Sequence, residues 1–497
     1  MTSINPHTIP PWKGGLATDQ RSPRAQTTNV TARPIHQQTR QVPAANRRYG
    51  AVFGETWIAA DPDIVREKGG FLFLRGILCL GTLDAIVSIE IAGDTYTSSN
   101  PESSVNYRGD WSSSSTWITP YTRPYAAQPG EIYRFGGQYY VVKTPFVVSG
   151  IVGDETPTGT TYRANFGRVY ADTNVNAYRG VAGQGVDPLM VELLGSSYTE
   201  TLTGSWYGNP YQLAYVTAKI PVQEFDVGWP TLRVLVRGWH CFDPRTGVKT
   251  FTRNPALHLA TAISSPLIGL DKKVNSASVA VAADRCAAPF PDGERIQCNL
   301  EIGGAPLPTL QWIETLRGYA GVMLDYRDGE YHFVVDGPRA IDWRILFGDA
   351  SSDVEMVALP EIELVSTADR KNVVRVKYTD TSVTPWKETT VVAESAAVSS
   401  GAELPVVQEY RMPGILVTEQ AERYAWERLF EHQLETWIST VPVADEGAAV
   451  HVGHVALLAS PNGLNREPGR VMSKSNPAVG LWLLRCRQYD ANSYQEP

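Results

Sequence analysis

The chain has little charge, few cysteines and no long apolar run. Only 19% of its 497 residues are charged, and the formal net charge is −8. A protein that binds phosphates of nucleic acid presents a basic face, which this composition does not supply, so specific nucleic-acid binding is not expected. The longest apolar run, Phe71 to Leu80, contains Arg75 and is too short to span a bilayer, so no transmembrane segment is predicted.

Cysteine is not only scarce but scattered. The five cysteines are Cys79, Cys241, Cys286, Cys298 and Cys486. An odd number at wide spacing, without a CxxC pair, argues against a disulfide framework and against a zinc site. We expect each of them to be a small buried hydrophobic residue. The first residues, MTSINPHTIPPWKGG, lack the apolar core of a signal peptide, so we expect synthesis and folding in a cytosol.

The signatures of common enzymes are missing as well. The sequence has no HExxH, no GxSxG and no phosphate-binding loop, and the glycine cluster at 180–185 is not placed between a strand and a helix. His451 and His454 have a metal-like spacing, but the alternating pattern around them predicts a strand that would point them to opposite faces. We therefore predict no catalytic residue, no cofactor and no metal site, and we expect these histidines to be packed or solvent-facing.

Two pairs of acids leave a polysaccharide or cell-wall hydrolase open as a less favoured alternative. They are Asp325 with Asp328 and Glu361 with Glu363. A glycosidase needs two carboxyl groups at a defined separation in space, and spacing along the chain does not give that separation.

The residues that are abundant predict many short strands joined by turns. The chain has 42 Gly, 34 Pro, 23 Tyr and 13 Trp, and its length predicts several domains. We predict an α+β, β-rich multidomain fold with a few amphipathic helices. Asn254 and Pro255 predict the start of one helix, and further helices are predicted at Asn275 to about Ala287, Leu307 to Tyr319, and Glu419 to Trp437.

The first 48 residues differ from the rest in charge. Their basic residues face a single acid, Asp19, in a stretch rich in Thr, Gln and Pro. Such a segment cannot bury enough apolar surface to fold alone. It is either a disordered tail or an arm that orders against an acidic neighbouring subunit. The arginines predicted to bind the partner are Arg21, Arg24, Arg33, Arg40, Arg47 and Arg48.

Residues 98–166 are rich in Ser, Tyr, Trp and Gly and are predicted to be a small β insertion. Within it, PYAAQPGEIYRFGGQYYVVKTP predicts a hairpin turned at Gly136-Gly137 and resembles small chitin-binding type carbohydrate modules. Its rings either stack on sugars or form the core of the insertion itself. The predicted carbohydrate contacts are Trp117, Tyr121, Tyr125, Tyr133, Tyr139 and Tyr140.

The order of motifs along the chain resembles the lambda-type tail tip proteins, the phage tail hub family. The segment RRYGAVFGETWIAAD followed by GGFLFLRGILCLGTLDAIVSIEIAGD is similar to the start of that hub, and WHCFDPRTGVKTFTRNPALHL followed by DRCAA is similar to its centre. Further on, RIQCNLEIGGAPLPTLQWIETLRGYAGVMLDYRDGEYHFVVDGP and TEQAERYAWERLFEHQLETW are similar to later parts. The resemblance covers roughly residues 49–97 and 170–470.

This resemblance implies an architecture of tail-tube-like β-barrel domains. It divides the chain into a basic arm (1–48), a first barrel-like hub domain (49–97 with 167–250), the insertion (98–166), an α+β hub domain (251–350) and C-terminal hub domains (351–497) with one long helix at about 419–440. Chain end at Pro497 would leave out the fibronectin-like and receptor-binding regions of longer members.

The resemblance also implies a role in the virion of a long-tailed phage, at the tail tip. The chain would form a homotrimer that closes the tail tube, adapts six-fold to three-fold symmetry and opens for DNA ejection. Its implied partners are the distal tail protein ring, the tape-measure protein and other tail tip or fibre proteins, and DNA would pass through the channel. The alternative is a host-surface adhesin that binds host glycan through the insertion.

Overall fold

The computed structural model describes residues 49–91, 94–97, 107–110, 125–127, 132–135, 138–142, 146–148, 166–171, 175–199, 203–206, 209–221, 231–291, 293–302, 309–366, 370–382 and 386–494. None of the helices in these ranges is both long enough and apolar enough to cross a membrane. The N-terminal arm lies outside them.

Short strands dominate the described chain. The first part contains β1 (Ala51–Phe53), β2 (Glu55–Ala59), β3 (Asp61–Lys68), β4 (Phe71–Leu80), β5 (Ala85–Ile91), β6 (Asp94–Thr97), β7 (Tyr107–Asp110), β8 (Tyr125–Ala127), β9 (Ile132–Phe135), β10 (Gln138–Val142), β11 (Phe146–Val148), β12 (Phe166–Ala171), β13 (Val175–Arg179), α1 (Pro188–Leu194), β14 (Thr203–Trp206) and β15 (Asn209–Pro221). The middle contains β16 (Leu232–Arg237), β17 (His240–Asp243), β18 (Val248–Phe251), α2 (Pro255–Ser264), β19 (Lys273–Val274), α3 (Ser276–Ala287), β20 (Pro289–Phe290), β21 (Gly293–Glu294), β22 (Leu300–Ile302), α4 (Thr309–Ala320), β23 (Val322–Arg327) and β24 (Glu330–Val335). The last part contains β25 (Trp343–Leu346), β26 (Glu361–Leu364), β27 (Val373–Asp380), β28 (Lys387–Glu394), α5 (Ala396–Ser399), β29 (Val407–Arg411), α6 (Thr418–Leu434), β30 (Trp437–Val443), β31 (Val455–Ser460), β32 (Leu464–Ala478) and β33 (Leu481–Gln488), with 3₁₀ turns at Asp445–Ala449 and Ala491–Tyr494.

Two sheets pack face to face in the first part of the chain. One has the strand order β2-β16-β5-β6-β12-β10-β9-β7, and the other has the order β13-β15-β4-β3 with β14 paired to β15. Their facing apolar side chains, among them Leu74, Val216 and Val234, form one core cluster. We call this pair of sheets the N-terminal sandwich.

The strand β4 explains the longest apolar run of the sequence. Leu72 and Leu74 face the sandwich core, whereas Phe73 packs under α1 on the other side, so both faces of β4 are buried. Arg75 interrupts the run without exposing it: its guanidinium lies 2.6 Å from Asp63 and donates to the hydroxyl of Tyr198 at 2.6 Å. A strand buried on both faces reads as a continuous apolar run.

The described strands of the predicted insertion extend one sheet of the sandwich. β12 pairs in parallel with β6, β10 pairs with β12, and β9 and β7 follow in the same sheet. The predicted hairpin is confirmed, because β9 and β10 pair with Phe135 opposite Gln138. β8 and β11 form a separate pair. The domain boundaries given above stay a prediction.

Helices α2, α3 and α4 form the core of the middle part. The side chain of Asn254 caps α2 by accepting from the amide of Ala256 and also donates to the carbonyl of Ala283 in α3. Both predicted helices are confirmed, and the buried face of α3 consists of Val279, Ala282, Ala283 and Cys286. On α4, Ile313 and Leu316 are buried, whereas Leu310 is exposed because it lies in the first turn, ahead of the core.

A six-stranded sheet with the order β25-β31-β32-β33-β30-β26 completes the last part, together with a three-stranded sheet, β28-β27-β29, on which α6 packs. The helix α6 ends at Leu434, earlier than the predicted 437 to 440. The chain turns there into β30, whose alternating burial places Trp437 and Val441 in the core of the six-stranded sheet. The end of α6 is therefore set by the two-residue burial pattern of Trp437–Val443, which is that of a strand and not of a helix.

The buried His258 predicts an acid-dependent loss of stability. Its ring is fully buried, stacks on Phe53 with centroids 4.8 Å apart, and burial lowers its pKa to about 4. The unfolded chain protonates this histidine near pH 6.5, whereas the folded chain does so only near pH 4. The stabilisation that the neutral, buried ring gives the folded state is therefore complete above pH 6.5 and is lost as the pH falls toward 4. Over that range it amounts to roughly 3 kcal/mol.

In His258→Phe, stability should therefore fall less steeply between pH 6.5 and 4.5, as measured by denaturant midpoints at each pH. The exposed His240→Gln serves as the control for replacing a histidine at the surface. An unchanged slope in His258→Phe would contradict the assignment.

Candidate functional site: the buried ionic junction

The sequence-predicted site residues fall into three groups. Trp117, Tyr121 and the six arm arginines lie outside the described residues. Tyr125 and Tyr139 lie on β8 and β10. Tyr133 and Tyr140 face each other across the β9–β10 pair, where Tyr133 is fully buried and Tyr140 half-buried.

Tyr133 is not a sugar contact in this structure, because a ring without exposed surface cannot stack on a ligand. Its role is packing, which is the alternative that the sequence left open for these rings. Carbohydrate contact by the other aromatic residues of the insertion stays a prediction.

Charged side chains gather where the middle part meets the last part of the chain. We call this cluster the buried ionic junction; its members are Asp336, Arg428, Glu431, Glu435, Arg470 and Arg487. Asp336 follows β24, Arg428 and Glu431 lie on α6, Glu435 follows that helix, and Arg470 and Arg487 lie on β32 and β33. The junction therefore ties three separate elements of the last part to the hairpin of the middle part.

Arg470 is the most enclosed member of the junction. Its side chain is 2% exposed and pairs with Asp336, and it also donates to the hydroxyl of Tyr494 at 2.6 Å and to the carbonyl of Gly337. The guanidinium lies over the rings of Tyr489 and Tyr494, 4.7 and 5.2 Å from their centroids. Burial alone would raise the pKa of Asp336, but Arg470 and the Tyr494 hydroxyl outweigh burial and lower it.

Glu431 is the second centre of the junction, because it pairs with both Arg428 and Arg487. Arg487 also lies 2.7 Å from Glu435, although the N–H does not point along the line of a hydrogen bond. Burial raises the pKa of Glu435 to about 7, an effect that Arg487 opposes. Beside these side chains lies a cavity of about 50 Å³, lined among others by Tyr424, Glu431 and Tyr494. A space of this size is suited to ordered water.

The reasoning that placed His451 and His454 on opposite faces of a strand is wrong. They flank a turn that precedes β31, and their rings are 5.3 Å apart. His454 Nδ1 accepts from the indole N–H of Trp343 at 2.9 Å, while His451 Nδ1 lies 3.3 Å from the ammonium of Lys474. Burial, followed by Lys474, lowers the pKa of His451 to about 4, so the ring is a neutral acceptor at pH 7.

The charged groups of the junction pair with one another and hold the middle and last parts of the chain together. Each buried charge faces an opposite one, and among the described residues no three His, Cys, Asp or Glu side chains are placed to hold a metal ion. Of the acid pairs considered for hydrolysis, Asp325 is buried beside His451 at 3.4 Å, Asp328 lies in the β23–β24 turn, and Glu361 and Glu363 lie on the exposed side of β26. None of these positions lines the cavity.

The five cysteines are buried and free, which confirms the sequence prediction. Burial raises the pKa of every one of these thiols, to about 12 for Cys241, Cys286 and Cys486. The thiolate is the nucleophilic form, so a thiol reagent at pH 8 should modify the folded chain at least roughly a hundredfold more slowly than the urea-unfolded chain. Fast reaction of even one native thiol would contradict the packing around it.

Sequence reasoning missed the junction, although it left a trace. Arg470 precedes the buried Val471, and Arg487 follows the buried Cys486, so each arginine interrupts an apolar strand. An arginine inside an apolar strand indicates a buried partner, but its identity depends on contacts between residues more than 50 positions apart.

Comparison with known proteins gives a fold and no more than a fold. No family model and no curated protein matches the chain. The 43 kDa tail protein of prophage MuSo2 from Shewanella oneidensis aligns at a TM-score of 0.32 and 11% identity, over 59% of this chain and 79% of that one. The tail protein from Neisseria meningitidis MC58 aligns at 0.29 and 12%, over 58% and 78%. Scores this low do not establish a common fold.

The chain is more similar in fold to a chain in the virion of a native gene transfer agent (GTA) particle. This likeness has a TM-score of 0.54 at 14% identity and covers 94% of this chain and 90% of that one. Because it extends over almost the whole of both chains, it includes the N-terminal sandwich, the helical middle and the last sheets together. The chain thus has the α+β, β-rich multidomain fold predicted from its sequence, and it shares that fold with a virion protein.

Proposed function

We propose that the chain is a structural protein in the tail of a phage-like particle. The observation that carries this proposal is the likeness to a virion chain over 94% of the length. The buried ionic junction supports it, because its charges are paired with one another rather than directed at a ligand. So does the burial of all five thiols, which removes them as nucleophiles. We also propose that the chain has no catalytic role.

Within the tail, we propose the position of the hub at the tail tip. In this position the chain is a homotrimer below the distal tail protein ring, holds the end of the tape-measure protein and contacts other tail tip or fibre proteins. The order of sequence motifs supports the hub, and so does the large number of strands, since subunits in a ring can cover one another's sheet edges. Opening of the ring lets DNA leave the particle after assembly in the host cytoplasm.

Particles made without this chain test the proposal. We expect tails that are absent, or that end without a closed tip and lose DNA, in electron micrographs of the deletion strain. Supplying the chain in trans should restore the tips. Tails of normal length, closure and composition in the deletion strain would overturn the structural role. A chain found in the particle but away from the tip would overturn the hub position alone.

Glycan binding by the insertion has its own test. Binding of the full chain to polysaccharides of the host surface, lost when Tyr140 is replaced by Ala, would make adhesion part of the function. An array on which the full chain binds no host glycan would leave the insertion with a packing role.

A further inference from the structure

The strand β26 leaves one edge of the six-stranded sheet open. It pairs with β30 along Glu361–Leu364, and no described strand lies on its other side. The amide of Val365 donates to the carbonyl of Thr436 at 2.9 Å. The N–H and C=O groups of successive residues in a strand point alternately to its two sides. Since Val365 bonds to Thr436, the residue before β30, the main-chain groups of Ile362 and Leu364 point away from β30. They are available to another strand.

Apolar side chains surround this edge. Leu364 is 76% exposed, and the neighbouring exposed apolar residues are Phe347, Val357, Leu359 and Val365. A groove of about 490 Å³ between Phe347 and Val357 runs beside them, with Asp349 and Glu355 at its wall. Exposed apolar side chains at an open sheet edge favour aggregation unless another segment covers them.

The charge of the surface defines what can cover it. Residues 345–369 contain no Lys or Arg, and their acids include Glu355, Glu361 and Glu363. Asp349 pairs with Arg466 at 3.6 Å, whereas no ion-pair partner faces Glu361 or Glu363 among the described residues. We call residues 347–365 the acidic edge. A segment that binds there should be extended, rich in β-branched residues and basic.

The chain itself contains such a segment. Residues 25–33, AQTTNVTAR, have no proline and four β-branched residues, and they are bounded by Arg24 and Arg33. Nine residues in a strand span roughly 30 Å, enough to cover the four residues of β26 and the groove beside it. We propose that residues 25–33 of the N-terminal arm add to β26 as an extra strand and place their flanking arginines against the acidic edge.

The proposal does not depend on the role in a tail, since it concerns two surfaces of the same chain. Strand addition supplies main-chain hydrogen bonds, and the alternate side chains find the apolar groove. Within an assembly the arm can come from the same copy or from a neighbour. Both satisfy the proposal, and cross-linking tells them apart by the size of the product.

Protease protection is the first test. In the full chain, trypsin should cut after Arg24 at least tenfold faster in the double variant Glu361→Lys/Glu363→Lys than in the native chain. The control is Glu388→Lys/Glu394→Lys, the same charge change on exposed residues of the edge strand β28. Mass spectrometry of the released N-terminal peptide separates this cut from any other. Equal rates in the native chain and both variants would overturn the proposal.

Cross-linking is the second test and does not depend on the charge change. Oxidation of Thr28→Cys/Leu364→Cys should give a disulfide, either within one copy or between two. Thr28→Cys/Val392→Cys, with the second cysteine on β28, should not. The native thiols are buried and do not interfere. Failure of the first pair to cross-link, or equal yields in both pairs, would overturn the proposal.

Discussion

Replacing Arg470 by methionine should destabilise the last part of the chain by about 3 kcal/mol. Breaking one partner of a buried ion pair costs roughly 3–5 kcal/mol, because the other charge stays behind in a poorly solvated site. The lower end applies here, since the Asp336 side chain is 18% exposed and keeps the hydroxyl of Tyr494 as a donor. Methionine preserves much of the volume between Tyr489 and Tyr494, so the loss reports on charge more than on packing.

Backbone hydrogen exchange in β32 and β33 measures this effect, because it gives a local free energy of opening even in a chain of several domains. Arg466→Ala removes an exposed pair with Asp349 and should change that free energy by less than about 0.5 kcal/mol. Adding Asp336→Asn to Arg470→Met should recover part of the loss. A loss that the second substitution leaves unchanged would mean that the guanidinium acts through its ring contacts alone.

The parts of the fold that local chemistry determines were predictable. Asn254 before Pro255 fixes the start of α2, and the turn residues Asp328 and Gly329, both at positive φ, fix the β23–β24 hairpin. Each of these signals lies within a few residues of the structure that it produces. The buried cysteines belong here too, since their scarcity and spacing already excluded the alternatives.

The parts that depend on distant partners were not predictable. Asp336 and Arg470 are 134 residues apart, and no short pattern links them. The parallel pairing of β12 with β6, which makes the insertion part of a larger sheet, likewise joins distant segments. The prediction for His451 and His454 was wrong for another reason. The alternating pattern of β31 was extended back over residues 451–454, where the main chain forms a turn.

The glycine cluster at 180–185 connects β13 to α1, so the prediction that it does not lie between a strand and a helix was wrong. Its glycines have a packing role with a large expected effect. Gly180 and Gly183 have nearly the same positive φ, 75° and 76°. They differ in surroundings: a Cβ on Gly180 would lie 2.3 Å from the carbonyl oxygen of Gly81, whereas a Cβ on Gly183 would meet nothing within 4 Å. The backbone after β13 therefore passes against the backbone after β4 at a distance that only glycine allows.

Two single alanine variants, one at each position, separate the cost of a positive φ from the cost of the close backbone contact. Gly183→Ala should cost about 1 kcal/mol, the strain of a left-handed backbone for a residue with a Cβ. Gly180→Ala should cost that amount plus about 1–3 kcal/mol for forcing the two backbones apart. The hydroxyl of Thr82 donates to the carbonyl of Gly180 at 2.7 Å, and the amide of Leu83 donates to the carbonyl of Arg179 at 2.8 Å, so the contact cannot open without losing hydrogen bonds. Hydrogen exchange in β4 and β13 measures the difference. Equal costs for the two variants would mean that the backbone relaxes freely there and that positive φ alone selects glycine.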